Sequence, residues 1–271
     1  MSALAAPIAR HGQHLVAVVA HPDDESFGCG SLIAQASTAG ARVTVICATR
    51  GEAGERRPDP ITDAWPIALL RETELCQAAI VLGVDDVRFL DLVDSGFSGE
   101  PPRCALISEP VDRLAGRLLA ELTDVQPDVV LTLDGCDGHR DHVHLRDAVA
   151  VAVAAMDRPI RLVNSSLARS LMIAWAQAMR AEEPHREHLA IDDDQLGRPD
   201  DELTAIDTSD VLEMRERAIA CHLSQASPFD NLPAGLRRRF LTTDYVLDVT
   251  PIATGARRLP AGDAIGSGDH P

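Results

Sequence analysis

The sequence predicts an α/β protein with a Rossmann-like three-layer fold, in which a mostly parallel central sheet is covered by helices on both sides. Apolar runs of strand length recur at "LVAVVA" (15–20), "RVTVICA" (42–48), "VRFLD" (87–91) and "DVVLTL" (128–133). Their lack of apolar/polar alternation marks strands buried on both faces. Helix-like stretches separate them, which implies right-handed crossovers between parallel strands. In such sheets the site opens at the carboxyl ends of the strands, in the loops that follow them.

The first strand, 15–20, runs into "HPDDE" with no turn between. "GSLIAQASTAG" (30–40) then carries apolar residues at three- and four-residue spacing and ends at Gly40, as a helix does; the second strand follows at 42–48. "PIALLRETELCQAAIVLG" (66–83) repeats that pattern and ends at Gly83 before the third strand at 87–91. "ALISEPVDRLAGRLLAELT" (105–123) predicts the next helix, and the fourth strand, 128–133, empties into "DGCDGHRDHVH" (134–144). The acid- and proline-rich stretch 181–210 reads as including a solvated loop, after which 209–225 and 236–241 predict helices and 244–249 a last strand. The expected organisation is a tail over 1–13, a single domain over 14–250 and a disordered tail over 251–271.

Composition excludes several classes of function. The 271 residues carry a formal net charge of −17, which argues against nucleic acid and anionic membranes as partners, because both are bound through clustered cations. All 25 basic residues are arginine. With no lysine, a P-loop, a Schiff-base enzyme and a Ser-Lys hydrolase cannot be built. The six cysteines show no C-x-x-C spacing, and the longest apolar run near the N-terminus is only strand length. Both features point to reduced thiols in a cytoplasmic protein with no membrane span.

Two loops carry the chemistry. In the first, His21, Asp23, Asp24 and Glu25 crowd together after the first strand, with Pro22 stiffening the turn. Adjacent acids repel unless a cation sits among them, and imidazole with carboxylate suits zinc or iron; alone, the loop also fits an acidic helix N-terminus. The second loop offers His139, Asp141, His142 and His144 within six residues, on the same edge of the sheet. Three ligands with an open position make a hydrolytic site, and only one of Asp23 and Asp24 need bind metal, leaving the other as general base.

At these residues the sequence resembles the LmbE-like or PIG-L N-deacetylases, which remove acetyl from N-acetylglucosaminyl compounds, including those of the mycothiol and bacillithiol pathways. "AHPDDE" (20–25) matches the first family signature, and "GHRDH" (138–142) matches the second with Arg140 where proline is common. "TRGEAGE" (49–55), "LLRETEL", "FLDLVDSGF" (89–97) and "RAIACHLSQ" (217–225) extend the similarity over most of 14–250.

The resemblance implies a zinc site, with iron or another divalent ion as the alternative, held by His21, Asp24 and His142. It implies Asp23 as the base that takes a proton from water. His139 would steady the oxyanion or protonate the leaving amine, and Asp141 would orient His139 or His142. It places Arg71 and Asp94 at the sugar hydroxyls. The substrate would be a small amino sugar or its glycoside, and a homo-oligomer is left open. Asp137 stands where some members have a tyrosine that could polarise the carbonyl. Glu25 is expected to be structural, His144 to point away from the metal, and His222 to be a packed helical histidine or a neighbour of the site.

Rival readings fit less well. Gly28 and Gly30 are followed by Ile33 where a dinucleotide fingerprint needs a small residue, and the second strand ends in "ATRG" with no acid for a ribose. No G-x-S-x-G elbow occurs. A sugar-binding relative without catalysis would have lost the base or a ligand. An amidase cleaving a larger amide of an amino-sugar thiol conjugate would share the same metal chemistry and differ in its pocket.

Overall fold

A computed structural model describes residues 7–58, 64–182 and 195–250. The tail expected over 251–271, residues 1–6 of the tail expected over 1–13 and residues 183–194 of the solvated loop expected over 181–210 lie outside the described residues. Among those residues, seven strands form one sheet in the order β3-β2-β1-β4-β5-β7-β6. The strands are β1 (His14–Val19), β2 (Arg42–Thr49), β3 (Asp86–Leu92), β4 (Val129–Leu133), β5 (Arg161–Ser166), β6 (Thr204–Asp207) and β7 (Thr243–Asp248). The first five are parallel; β7 runs antiparallel to both β5 and β6.

Eight α-helices lie among the described residues: α1 (Asp24–Phe27), α2 (Gly30–Thr38), α3 (Ile67–Leu82), α4 (Val111–Val125), α5 (Arg140–Ala154), α6 (Arg169–Glu182), α7 (Leu212–Ile219) and α8 (Ala234–Thr242). Strand β1 shows why the fold has three layers. Leu15, Ala17 and Val19 join a core with Leu32 and Ile33 of α2 and Leu75 and Leu82 of α3. Val16 and Val18 face the other way, into a core with Leu114 and Leu118 of α4 and Leu145 and Val149 of α5. Alternate residues therefore need apolar neighbours on opposite faces, and the strand is apolar throughout.

Several boundaries differ from the sequence expectation for local reasons. The helix expected from 105 begins at Val111, because Pro110 disfavours helix in the residue before it; a short 3₁₀ turn fills 106–108. The helix expected over 209–225 is α-helical only over Leu212–Ile219. Ile8 and Ala9, ahead of β1, are buried, and Arg161 Nη1 donates to the Ile8 carbonyl at 3.1 Å.

The topology fixes where a site can form. From β1 the chain winds outward through β2 and β3, then crosses back to place β4 on the other side of β1. The loops after β1 and β4 leave in divergent directions at this switch point, opening a crevice at the carboxyl edge of the sheet. "HPDDE" and "DGCDGHRDH" are those two loops.

Candidate metal centre and active site

The chain turns sharply after β1. Asp23 has φ 121°, a conformation costly for any residue with a side chain. Its carbonyl accepts the Ser26 and Phe27 N–H groups at 2.9 and 2.7 Å, and its own N–H donates to Glu25 Oε2 at 2.9 Å. Arg71, from α3, donates to Asp23 Oδ2 at 2.9 Å and to the carbonyls of Pro22 and Gly51 at 2.6 and 2.7 Å. Behind this turn, buried Glu25 meets His222 Nε2 at 2.6 Å and accepts from Ser26 Oγ. The structural role expected of Glu25 thus takes the form of an ion pair under the site, and His222 is its partner.

The turn delivers Asp24 between two imidazoles. Its Oδ2 accepts the backbone N–H groups of Ala20 and His21 at 3.1 and 2.9 Å and lies 3.6 Å from His21 Nδ1, while Oδ1 lies 3.3 Å from His142 Nε2. His139 caps the N-terminus of α5, and His142 sits one turn in. The ring of His139 stacks on that of His142 at 4.7 Å between centroids and meets His21 edge-on at 4.6 Å. His21, His139 and His142 each offer a ring nitrogen within 4.8 Å of the others, and His21, Asp94 and Asp141 form a second such group.

The acids around these rings set their charge. His21 loses from burial but gains more from hydrogen bonds to Asp141, Asp24 and Asp94, so its pKa is raised well above that of a free imidazole. Burial likewise opposes charge on His142, yet Asp137 and Asp24 push it up to about 10. His139 goes the other way, to about 4, through burial and the neighbouring His21 and His142. Its Nδ1 accepts the Asp141 N–H at 3.2 Å, so the neutral ring carries its proton on Nε2. Burial raises Asp23 to about 6, against the pull of Arg71 and with the help of Asp24. Asp24 itself, although buried, is held well below the usual carboxylate range by His142 and His21.

This donor set fits a divalent cation. His142 Nε2 is buried and has no hydrogen-bond partner, although it faces the Asp24 carboxylate. Its other nitrogen is fixed by Asp137 Oδ2 at 2.7 Å, the arrangement that orients a ligand imidazole and sets its tautomer. A carboxylate flanked by imidazoles, with further acids behind, is chemistry suited to zinc or ferrous iron.

Other residues fall in places the sequence does not specify. The Asp141 carboxylate lies against His21 Nε2 at 3.1 Å and the Ser95 N–H at 2.9 Å, and not against His139 or His142, because the first turn of α5 directs it back toward β1. Asp137, without the reach of a phenol, is the carboxylate that holds His142. Arg140 binds the loop after β3, donating to the carbonyls of Gly96 at 2.6 Å, Gly99 at 2.9 Å, and Ser95. His144 turns away and bonds the Glu109 carbonyl at 2.8 Å. Arg71 and Asp94, expected at the sugar, are both buried; Asp94 accepts from the Gly96 and Ala53 N–H groups and lies 3.4 Å from His21 Nε2.

Residues 16–153 match the family model described as PIG-L, GlcNAc-PI de-N-acetylase. The chain is 34% identical over 275 residues to the 1D-myo-inositol 2-acetamido-2-deoxy-alpha-D-glucopyranoside deacetylase of Acidothermus cellulolyticus, covering 92% of this chain and 91% of that one. The chain belongs to the PIG-L family. Solved structures share the fold at lower identity. Teicoplanin deacetylase Orf2, in its zinc-inhibited form, aligns with TM-score 0.56 at 20% identity, over 87% of this chain and 98% of that one. GalB, the 4-carboxy-2-hydroxymuconate hydratase of Pseudomonas putida KT2440, aligns with TM-score 0.58 at 20% identity, over 91% and 100%. A deacetylase and a hydratase thus share this fold, so the reaction of a PIG-L chain has to be argued from its site.

Proposed function

We propose that this PIG-L protein is a metal-dependent hydrolase that removes the N-acetyl group from an N-acetylglucosamine-type amino sugar or its glycoside. The observation that carries the proposal is the meeting of the two loops. Asp24 lies between His21 and His142, with Asp23 and His139 beside them. The full-length similarity to a deacetylase of an acetamido-glucopyranoside of inositol supports the choice of substrate class. Residues 14–250 are proposed as one catalytic domain. Among the described residues no helix is long and apolar enough to cross a membrane, and the cysteines are free. A cytoplasmic setting is proposed on the thiols.

His21, Asp24 and His142 would hold the ion, with zinc the first expectation and ferrous iron the alternative. A divalent ion held there lowers the pKa of water and polarises an amide carbonyl. Asp23, raised to about 6 by burial, is basic enough to accept a proton from the attacking water and is ionised near neutrality. Arg71 fixes the direction from which that carboxylate works. His139, neutral with its proton on Nε2, donates to the oxyanion as the carbonyl becomes tetrahedral. When the C–N bond breaks, the amine takes up a proton and acetate leaves. Arg71 and Asp94 stand behind Asp23 and His21, so a sugar hydroxyl meeting them does so at the floor of the site.

Metal analysis of the purified protein, combined with acetate release from a panel of N-acetylglucosaminides, tests this reading. A bound divalent ion and acetate release from at least one compound are expected. No metal and no release from any of them would reject it.

A further inference from the structure

A cavity of about 320 Å³ opens directly off the candidate centre, with Asp24, His139 and His142 in its wall. From there it runs between α6, α8 and the segments after β5 and α7, where Leu167, Met172, Trp175, Met179, Phe229 and Phe240 line it. The five of these outside Leu167 are buried members of a third apolar core. Acetyl has one methyl group to bury, and this chamber is of the size that small-molecule sites occupy.

Away from the candidate centre, where His142 Nε2 has no hydrogen-bond partner, the polar side chains in the wall are already engaged. Asp134 is paired with Arg198 through both carboxylate oxygens and accepts from Ser166 Oγ at 2.9 Å. Asp137 holds His142 and the His139 N–H. Ser165 Oγ donates to the Gly28 carbonyl at 2.6 Å, and the Trp175 indole N–H donates to the Pro228 carbonyl at 2.8 Å. A sugar ring placed among Met172, Trp175, Met179, Phe229 and Phe240 would bury hydroxyls against apolar side chains, which is costly.

With Asp24, His139 and His142 in the chamber wall, an amide held at the candidate centre would reach into the chamber with one of its two sides. The amine side is a sugar and carries hydroxyls. The acyl side carries none, and its chain begins one bond from the reacting carbon. We infer that the chamber receives an apolar N-acyl chain several carbons long, so that the enzyme prefers a fatty-acyl amide of an amino sugar over the acetamide. This rests on the hydrolase reading above and extends its acyl group beyond acetyl. The step is unchanged: the oxygen of water bonds to the acyl carbon, the C–N bond breaks, the carboxylate departs with the chain, and the amine takes up the protons that water gave up.

The chamber also limits the chain. Met179 and Ala226 are shared with a second cavity, lined also by Glu55, Arg56, Arg57 and Asp230, where an alkyl tail gains nothing. The expected signature is a rise of about fourfold in kcat/KM per methylene that ends once the chain reaches Met179.

The test is amine release from benzyl glucosaminides bearing N-acetyl, N-butyryl, N-hexanoyl and N-octanoyl groups. A parallel series keeps N-acetyl and lengthens an alkyl aglycone. The hexanoyl compound is expected to exceed the acetyl compound at least tenfold in kcat/KM, and that ratio to fall toward one in Met172→Trp. Inhibition by the product carboxylates gives a reading that needs no variant, with hexanoate expected to act at least tenfold more strongly than acetate. Hydrolysis of the acetyl compound with no gain for longer acyl chains would overturn the inference and leave the hydrolase standing. A gain that follows the aglycone instead would assign the chamber to the aglycone and equally overturn it. No amine release from any compound would reject the hydrolase reading itself.

Discussion

Two adjacent aspartates with different surroundings are the centre of the account. Asp24 faces two imidazoles and is held anionic, whereas Asp23 bonds a single guanidinium and is raised to about 6. Asp23→Asn is therefore expected to retain metal and lose most turnover, and Asp24→Ala to lose metal affinity. Metal content after dialysis, measured beside kcat, separates them; equal loss of metal in both variants would overturn the assignment. His139→Ala is expected to keep the ion and slow catalysis by about two to four orders of magnitude. Steady-state rates on the preferred substrate check this, and a normal rate would remove His139 from the mechanism.

At the scale of elements, α1 is a four-residue helix whose entry needs a positive φ at Asp23, and what holds that entry comes from elsewhere in the chain. Glu25 bonds the Asp23 N–H from below and is paired with His222, which burial discharges less than the Glu25 carboxylate charges. His222→Ala removes one partner of a buried pair and is expected to cost about 3–5 kcal/mol of stability, read from urea unfolding. A change of less than about 1 kcal/mol would show the pair to be dispensable.

The elements also show what a sequence can reveal. Strands β1, β2 and β4 were legible because both faces are covered, which leaves uninterrupted apolar runs. Strand β5 reads "RLVNSS", with a polar end that is buried only because β4 and β7 flank it. Helix α5 contains "AVAVAVA", whose alternation resembles a strand, and β6 is a four-residue edge. In the site, His21, Asp24 and His142 stood out because metal-type residues cluster locally. The Glu25–His222 bond spans 197 residues of chain, and no local pattern encodes it. The apolar chamber is likewise assembled from well-separated segments.

For the whole molecule, the three layers bring the loops after β1 and β4 to one crevice, and the same layers bury titratable groups far from it. His14, where β1 begins, donates from Nδ1 to the Val125 carbonyl and accepts from Thr44 Oγ1 at Nε2, both at 2.9 Å. Burial lowers its pKa below 6.5, although the Val125 bond opposes that change. The neutral ring is thus the folded form. Its stabilising contribution is complete above the unfolded pKa and is lost as pH falls from about 6.5 through the folded value. The difference in urea midpoint between the native protein and His14→Gln is expected to shrink on that descent, and a difference that grew would reverse the sign.

The central claim is that the crevice holds a divalent ion that this chain uses to hydrolyse an amino-sugar amide. The most direct measurement is acetate release from an N-acetylglucosaminyl inositol by one preparation, followed before chelation, after chelation and after return of one equivalent of zinc or ferrous iron. Activity that disappears with the metal and returns with it is the predicted result. Undiminished release from protein shown to be free of metal would contradict the account.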